Sequence, residues 1–364
     1  MTRGQVLRSL RAQAILALVA VARAGAGDRL DAFVEGERET QRIPGVGIAV
    51  VRGGEVVKLQ GYGLANVEHQ VPVKPETIFQ SGSVGKQFTA VAVMLQVEEG
   101  RLGLEDPLTR FFPDAPAAWG RITVRHLLTH TSGIADYGRA EVDYRRDYDE
   151  EEFARLAFGL RLEFPPGSRH SYSNTGYALL GFIVRKVSGR FYGELLAERV
   201  FVPLGMKTAR VISERDIVAN RAAGYRLVDG SLANQEWVSP LLNTMADGSL
   251  YLSLLDLVAW DRGLRAGAVL QPSSWRQVFT PATLVDGSRH PYGFGWRLAE
   301  VAGQKVHRHG GSWQGFKTDI ARFLGSDITV VVLANLAEAR PERFSDGLAG
   351  ILDPSLAAAA GPSE

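Results

Sequence analysis

The chain has 364 residues, 45% of them hydrophobic and 22% charged, the profile of an ordinary globular protein with room for one large or two medium domains. A net charge of +1 gives no electrostatic footprint for nucleic acid. With no cysteine, disulfides, thiolate metal sites and a cysteine nucleophile are excluded.

Arg3, Arg8 and Arg11 precede a short apolar run, Ala14 to Ala22, and Ala22-Arg23-Ala24 or Ala24-Gly25-Ala26 offers a cleavage site. Residues 1–24 are therefore expected to be an export signal, with a periplasmic or secreted destination and a cytoplasmic one otherwise. The competing reading is an amphipathic helix of the folded domain. The run is too short to span a bilayer, and no other stretch approaches that length, so no stable membrane span is expected after signal removal.

Asp28 to Arg42 reads as a helix with Leu30, Phe33 and Val34 on one face. Gly45 to Val51 and Val56 to Gly63 are β-rich runs joined at Gly53-Gly54, a hairpin signal. Helical patterns follow: Lys86 to Gly100, Arg125 to His130, Asp147 to Gly159 with its acidic start, Thr175 to Gly189, and Phe191 to Val202. Strand patterns return at Tyr292 to Leu298, Lys305 to His309, Thr318 to Phe323 and Thr329 to Asn335, with connections too short for parallel crossovers. The expected fold is α+β: an antiparallel sheet flanked by helices, with an inserted mainly helical domain. Residues 28–78 and 245–352 would form the sheet domain from both chain ends, 79–244 the helical domain, and 353–364 a flexible tail.

Three short motifs carry chemistry. Ser83-Val84-Gly85-Lys86 opens a helix, and positions i and i+3 share a face, so hydroxyl and amine converge. Desolvation disfavours an ammonium, and a neutral amine so placed takes the proton of a serine hydroxyl and makes it a nucleophile. Tyr172 and Asn174 sit two apart just before a helix, where they face one side; alone, they read as core packing and a helix cap. His309-Gly310-Gly311-Ser312 lies on a strand or its edge, where consecutive glycines mark close approach and a backbone N–H can serve an oxyanion; alone, it reads equally as a bulge and turn.

The ordered set S-x-x-K at 83–86, Y-x-N at 172–174 and H-x-G at 309–311 resembles the penicillin-recognising serine hydrolases, in the branch of class C β-lactamases, D-Ala-D-Ala carboxypeptidases, D-aminopeptidases and related esterases. Flanking stretches agree: Ile78 to Ser83, His126-Leu127-Leu128-Thr129-His130-Thr131-Ser132-Gly133, Pro203-Leu204-Gly205-Met206, Asp247-Gly248-Ser249-Leu250 and Val332-Leu333-Ala334-Asn335. The resemblance implies that Ser83 is acylated, that Lys86 is its base or proton partner, and that Tyr172 relays a proton to the leaving group. Asn174 would hold the Lys86 amine and a substrate carbonyl. His309 would line the opposite wall, anchoring substrate or assisting proton transfer. Gly310, Gly311 and Ser312 would form the substrate-facing edge, with the Ser83 and Ser312 N–H groups as oxyanion hole.

The implied function is a cofactor-free serine hydrolase acting through an acyl-enzyme on amide or ester carbonyls of a small molecule or short peptide, of β-lactamase or D-Ala-D-Ala carboxypeptidase type. Two alternatives accompany it: a carboxylesterase or D-aminopeptidase with the same site, and a non-catalytic penicillin-binding-like sensor module. One departure bears on substrate. Class C β-lactamases carry Lys-Thr-Gly where this chain has His309-Gly310-Gly311, which removes a permanent cation. Arg308 should point away from His309 on a strand. A metallohydrolase using His126, His130, His307 and His309 is disfavoured by the lack of an H-E-x-x-H pattern, and no metal is expected.

Overall fold

The computed structural model describes residues 29–359 apart from positions 141, 214 and 249. The export signal expected over 1–24 lies outside the described residues. Among those described, no helix is long and apolar enough to cross a membrane.

The seven strands of the main sheet are numbered here in chain order: β1 Gly45–Arg52, β2 Glu55–Asn66, β3 Val71–Pro72, β4 Arg297–Val301, β5 Gln304–Trp313, β6 Phe316–Phe323 and β7 Ile328–Ala334. Their order is β4-β5-β6-β7-β1-β2-β3, and every neighbouring pair is antiparallel. Both ends of the chain meet at the centre, where Val46 pairs with Ala334 and Arg52 with Ile328. β1 and β7 read as continuous apolar runs because both of their faces are covered. Val46, Ile48 and Val50 point into one core with Val330 and Val332, while Ala49 and Val51 point into the other with Val331 and Leu333.

The first core lies under a helix over residues 29–40 and the helix Pro341–Leu352, through Leu30, Val34, Phe344 and Leu348. The second face packs on Leu254–Arg265 and on the helical part of the chain, whose centre is Lys86–Glu98. Lys86 through Gln96 are all buried, so that helix is apolar on every side and lies inside the protein rather than on its surface. Asn174–Ser188 packs beside it and ends at Gly189.

Two expectations need correction. The strand expected from Tyr292 begins only at Arg297; Tyr292 to Trp296 is a loop. Its aromatic–glycine alternation mimics a period of two, but Gly295 has φ +73° and lies against the Lys86 backbone, 2.7 Å from the carbonyl oxygen to a Cβ placed there. The helical pattern from Phe191 changes hydrogen bonding midway, from Tyr192–Leu196 to a π-helical turn over Ala197–Phe201. Within the tail expected over 353–364, Pro354–Ala359 is a 3-10 helix with Leu356 buried, and 360–364 lie outside the described residues.

Candidate active site

The turn Gly82–Gly85 runs straight into the helix that Lys86 begins. Ser83 stands half-buried on that turn, and the Lys86 side chain is fully buried. Lys86 Nζ lies 3.0 Å from Ser83 Oγ and donates to Asn174 Oδ1 at 2.7 Å; it also meets the Asp247 backbone carbonyl. Three oxygen acceptors thus surround one amine, one of them the Ser83 hydroxyl.

Asn174 is not the helix cap that its position suggested. It is the first residue of its helix, its side chain is spent on Lys86, and its backbone N–H donates to Asp136 Oδ2 at 2.6 Å. Tyr172 projects from the preceding loop. Its ring centroid is 4.9 Å from Lys86 Nζ, and its hydroxyl is shielded from solvent without a hydrogen-bond partner among the described residues.

β5 closes the opposite wall. It pairs with β4 only as far as Arg308, so His309 to Trp313 have strand partners on one side alone, in β6. The other side faces the turn Gly82–Gly85. A Cβ on Gly82, at φ +49°, would lie 2.4 Å from the Ser312 nitrogen. A Cβ on Gly311 would lie 2.1 Å from the Ser81 carbonyl oxygen, and Thr318 Oγ1 donates to that same oxygen at 2.6 Å. Glycine is therefore required on both surfaces to bring the Ser312 N–H beside Ser83. Ser83, Tyr172, Arg297, His309 and Ser312 line one cleft of about 450 Å3.

Residues adjacent on β5 face opposite ways. Arg308 points away from the cleft and is held by Asp319 at 2.9 Å and Asp346 at 3.1 Å. His309 points inward and is fully buried; burial first, then nearby Lys86, push its imidazole down to about 3, so it is neutral at pH 7. Its Nε2 is 2.9 Å from the Tyr292 hydroxyl. Asp247 is buried as well: desolvation raises its carboxyl, against which Lys86 and the Tyr137 hydroxyl, at 2.7 Å, act as stabilising partners.

All the residues singled out in the three motifs thus come together around one cleft. Sequence reasoning missed the supporting set: Asp136 under Asn174, the Asp247 carbonyl on Lys86, and the pair His130 and Tyr292 behind Tyr172. His130 reaches Tyr292, 162 residues away, at 3.1 Å. The clue was the His130 stretch itself, set aside as a flank. Among the described residues no cluster of three or more His, Asp or Glu is placed to hold a metal ion.

The family model described as Beta-lactamase matches residues 30–352. Penicillin-binding protein 4* of Bacillus subtilis is 30% identical over 308 residues, which span 80% of this chain and 68% of that protein. A D-aminopeptidase of Gluconobacter oxydans is 30% identical over 317 residues, 84% of this chain but only 58% of the relative's length. Among solved structures, the octameric penicillin-binding protein homologue from Pyrococcus abyssi superposes with a TM-score of 0.79 at 31% identity, covering 89% of this chain and 77% of that one. The D-amino acid amidase of Ochrobactrum anthropi gives 0.74 at 26% identity, covering 91% and 98%.

Proposed function

The chain belongs to the Beta-lactamase family and is a serine hydrolase of that family, and we propose that it cleaves amide or ester carbonyls of small molecules or short peptides through an acyl-enzyme on Ser83. The observation that carries this reading is the Lys86 amine, buried and 3.0 Å from Ser83 Oγ, with Asn174 fixing it from the side. The amine accepts the Ser83 proton as Oγ attacks the carbonyl carbon. The Ser83 and Ser312 N–H groups stabilise the resulting oxyanion, a term worth about 10²–10³ in rate per donor. The Tyr172 hydroxyl, without a hydrogen-bond partner among the described residues and next to Lys86, delivers a proton to the departing amine or alcohol and regains one from Lys86, which returns that amine to its neutral form. Water then repeats the sequence on the acyl-enzyme.

One observation favours the aminopeptidase, amidase or esterase reading over a β-lactamase or carboxypeptidase. The third motif offers no cation for a substrate carboxylate: His309 is neutral and bonded to Tyr292, and Arg308 is paired with Asp319 and Asp346 on the far face. Arg297, Lys317 and Arg340 stand along the same cleft, but Glu338 and Glu342 stand there too. The test is a comparison of kcat/KM on a D-amino-acid anilide, a nitrophenyl ester and a chromogenic cephalosporin. The anilide or ester should exceed the lactam by about tenfold or more, the worth of one lost charged anchor. A lactam preference would reverse the substrate reading.

A further inference from the structure

Behind Tyr172 lies a buried chain of hydrogen bonds that the acylation chemistry does not use. The Ser173 N–H donates to His130 Nδ1 at 3.1 Å. A ring nitrogen that accepts carries no proton, so neutral His130 is protonated on Nε2. That Nε2–H lies 3.1 Å from the Tyr292 hydroxyl oxygen. Tyr292 then has one hydrogen left, and His309 Nε2 stands 2.9 Å away to accept it. His309 must therefore carry its own proton on Nδ1, which donates to the Gly310 carbonyl at 2.7 Å. The Tyr292 hydroxyl also meets that of Tyr177, which itself donates to the Leu128 carbonyl, but the Gly310 carbonyl beside His309 Nδ1 keeps that ring's proton on Nδ1, and reversing the chain would set a proton on His130 Nδ1 against the Ser173 N–H.

We propose that Tyr292 is a positioning residue that fixes one tautomer on each of two buried imidazoles and, through them, holds Tyr172 and the His309 to Ser312 edge in place. This rests on the reading of Tyr172 and Ser312 as parts of the acylation machinery. The His130 ring lies 4.1 Å from the Tyr172 ring at 32°, forming the floor on which that side chain sits. His130 itself has φ +55°, a left-handed conformation costly for a non-glycine residue and retained only where its surroundings over-determine it. On the other side, the His309 Nδ1–H grips the carbonyl of the next residue at the cleft-lining end of β5. Neutrality is part of the design. Lys86 and Arg297 act on both imidazoles, His170 and His309 act on His130 as well, and the rings of Tyr172, Tyr177 and Tyr292 pack around them. Burial alone disfavours an imidazolium at either position.

The test is ¹⁵N spectroscopy of the imidazoles in the wild-type protein, joined to steady-state kinetics of Tyr292→Phe on an ester. The wild type should show His130 with Nε2 protonated and His309 with Nδ1 protonated. Phenylalanine keeps the ring and removes only the hydroxyl, so His309 Nε2 loses its donor. Its resonance should shift and its titration should rise toward the ordinary histidine range, while kcat falls roughly tenfold, one hydrogen bond's worth, with KM within about twofold. The opposite tautomers in the wild type, a spectrum that does not require any variant to fold, would overturn the proposal. Unchanged kcat in a Tyr292→Phe protein with altered tautomers would overturn it too. Ester turnover that survives Ser83→Ala would sink the underlying site reading instead, leaving the tautomer assignment standing.

Discussion

Gly311→Ala tests how closely β5 must approach the nucleophile turn. The added methyl group would meet the Ser81 carbonyl oxygen at 2.1 Å and Thr318 Oγ1 at 2.3 Å. The hydroxyl can rotate away, but the carbonyl is backbone, so strand and turn must part by about 1 Å in a close-packed interior. Overpacking of this kind costs about 1–3 kcal/mol. Gly311 does not need a left-handed backbone, so alanine regains up to about 1 kcal/mol by restricting the unfolded chain. The net loss of stability should be about 1–2 kcal/mol, too small to unfold the protein. The rate is hit harder. The Ser312 N–H moves with the strand, and a 1 Å misplacement costs about 10²-fold. Acylation by a fluorophosphonate, followed by intact mass against time, reads this directly, with urea denaturation alongside. A variant acylated at the wild-type rate would refute the claim that this contact sets the oxyanion geometry.

Asn174→Ala removes the 2.7 Å acceptor of Lys86 and should slow acylation about 10- to 150-fold, the range for a hydrogen bond to a charged group. Asn174→Asp keeps an acceptor but sets a negative charge beside the amine, favouring the ammonium; it should be at least as slow, and a wild-type rate in stopped-flow acylation would exclude Lys86 as the base. Arg308→Met should cost about 3–5 kcal/mol in urea unfolding by leaving the buried Asp319 unpaired, while kcat of the folded variant stays within about twofold; a large kcat loss at full folding would mean that the outer face of β5 reaches the chemistry. Stability should fall with acid. Burial holds His309 down near 3 and His307 near 4. From about pH 6.5 downward the unfolded chain binds protons that these folded imidazoles refuse, so each costs about 1.4 kcal/mol per pH unit until its folded value is reached. Urea midpoints at pH 7, 6 and 5 should decline in step; a flat series would contradict the neutral assignment.

How far the sequence discloses this molecule depends on the range of the interaction. The hairpin at Gly53-Gly54, the Lys86 helix and the strands at 305–334 rest on local periodicity, and they are where the patterns put them, within a few residues. Ser83 and Lys86 are legible because one helical turn brings them together, and Tyr172 and Asn174 because a loop two residues long does. The Tyr292 loop misled because alternating aromatics and glycines imitate a strand, when the glycines let backbone approach backbone, Gly293 at Val278 and Gly295 at Lys86. His130, Asp136 and Asp247 were illegible as partners for a different reason. Each acts across the fold: His130 on Tyr292, Asp136 on Asn174, Asp247 on Lys86, at separations of 162, 38 and 161 residues. A buried polar side chain must find a partner, but nothing in composition or spacing says which one.

The central claim is that Ser83 is the acylated residue. Intact-mass spectrometry after incubating the wild type and Ser83→Ala with a fluorophosphonate, and separately with a penicillin, tests it most directly. One fluorophosphonate adduct per chain in the wild type, absent from a folded Ser83→Ala protein, is the predicted result, with a weak or transient penicillin adduct. An adduct that persists in Ser83→Ala, or no adduct from either reagent on folded wild-type protein, would contradict the account.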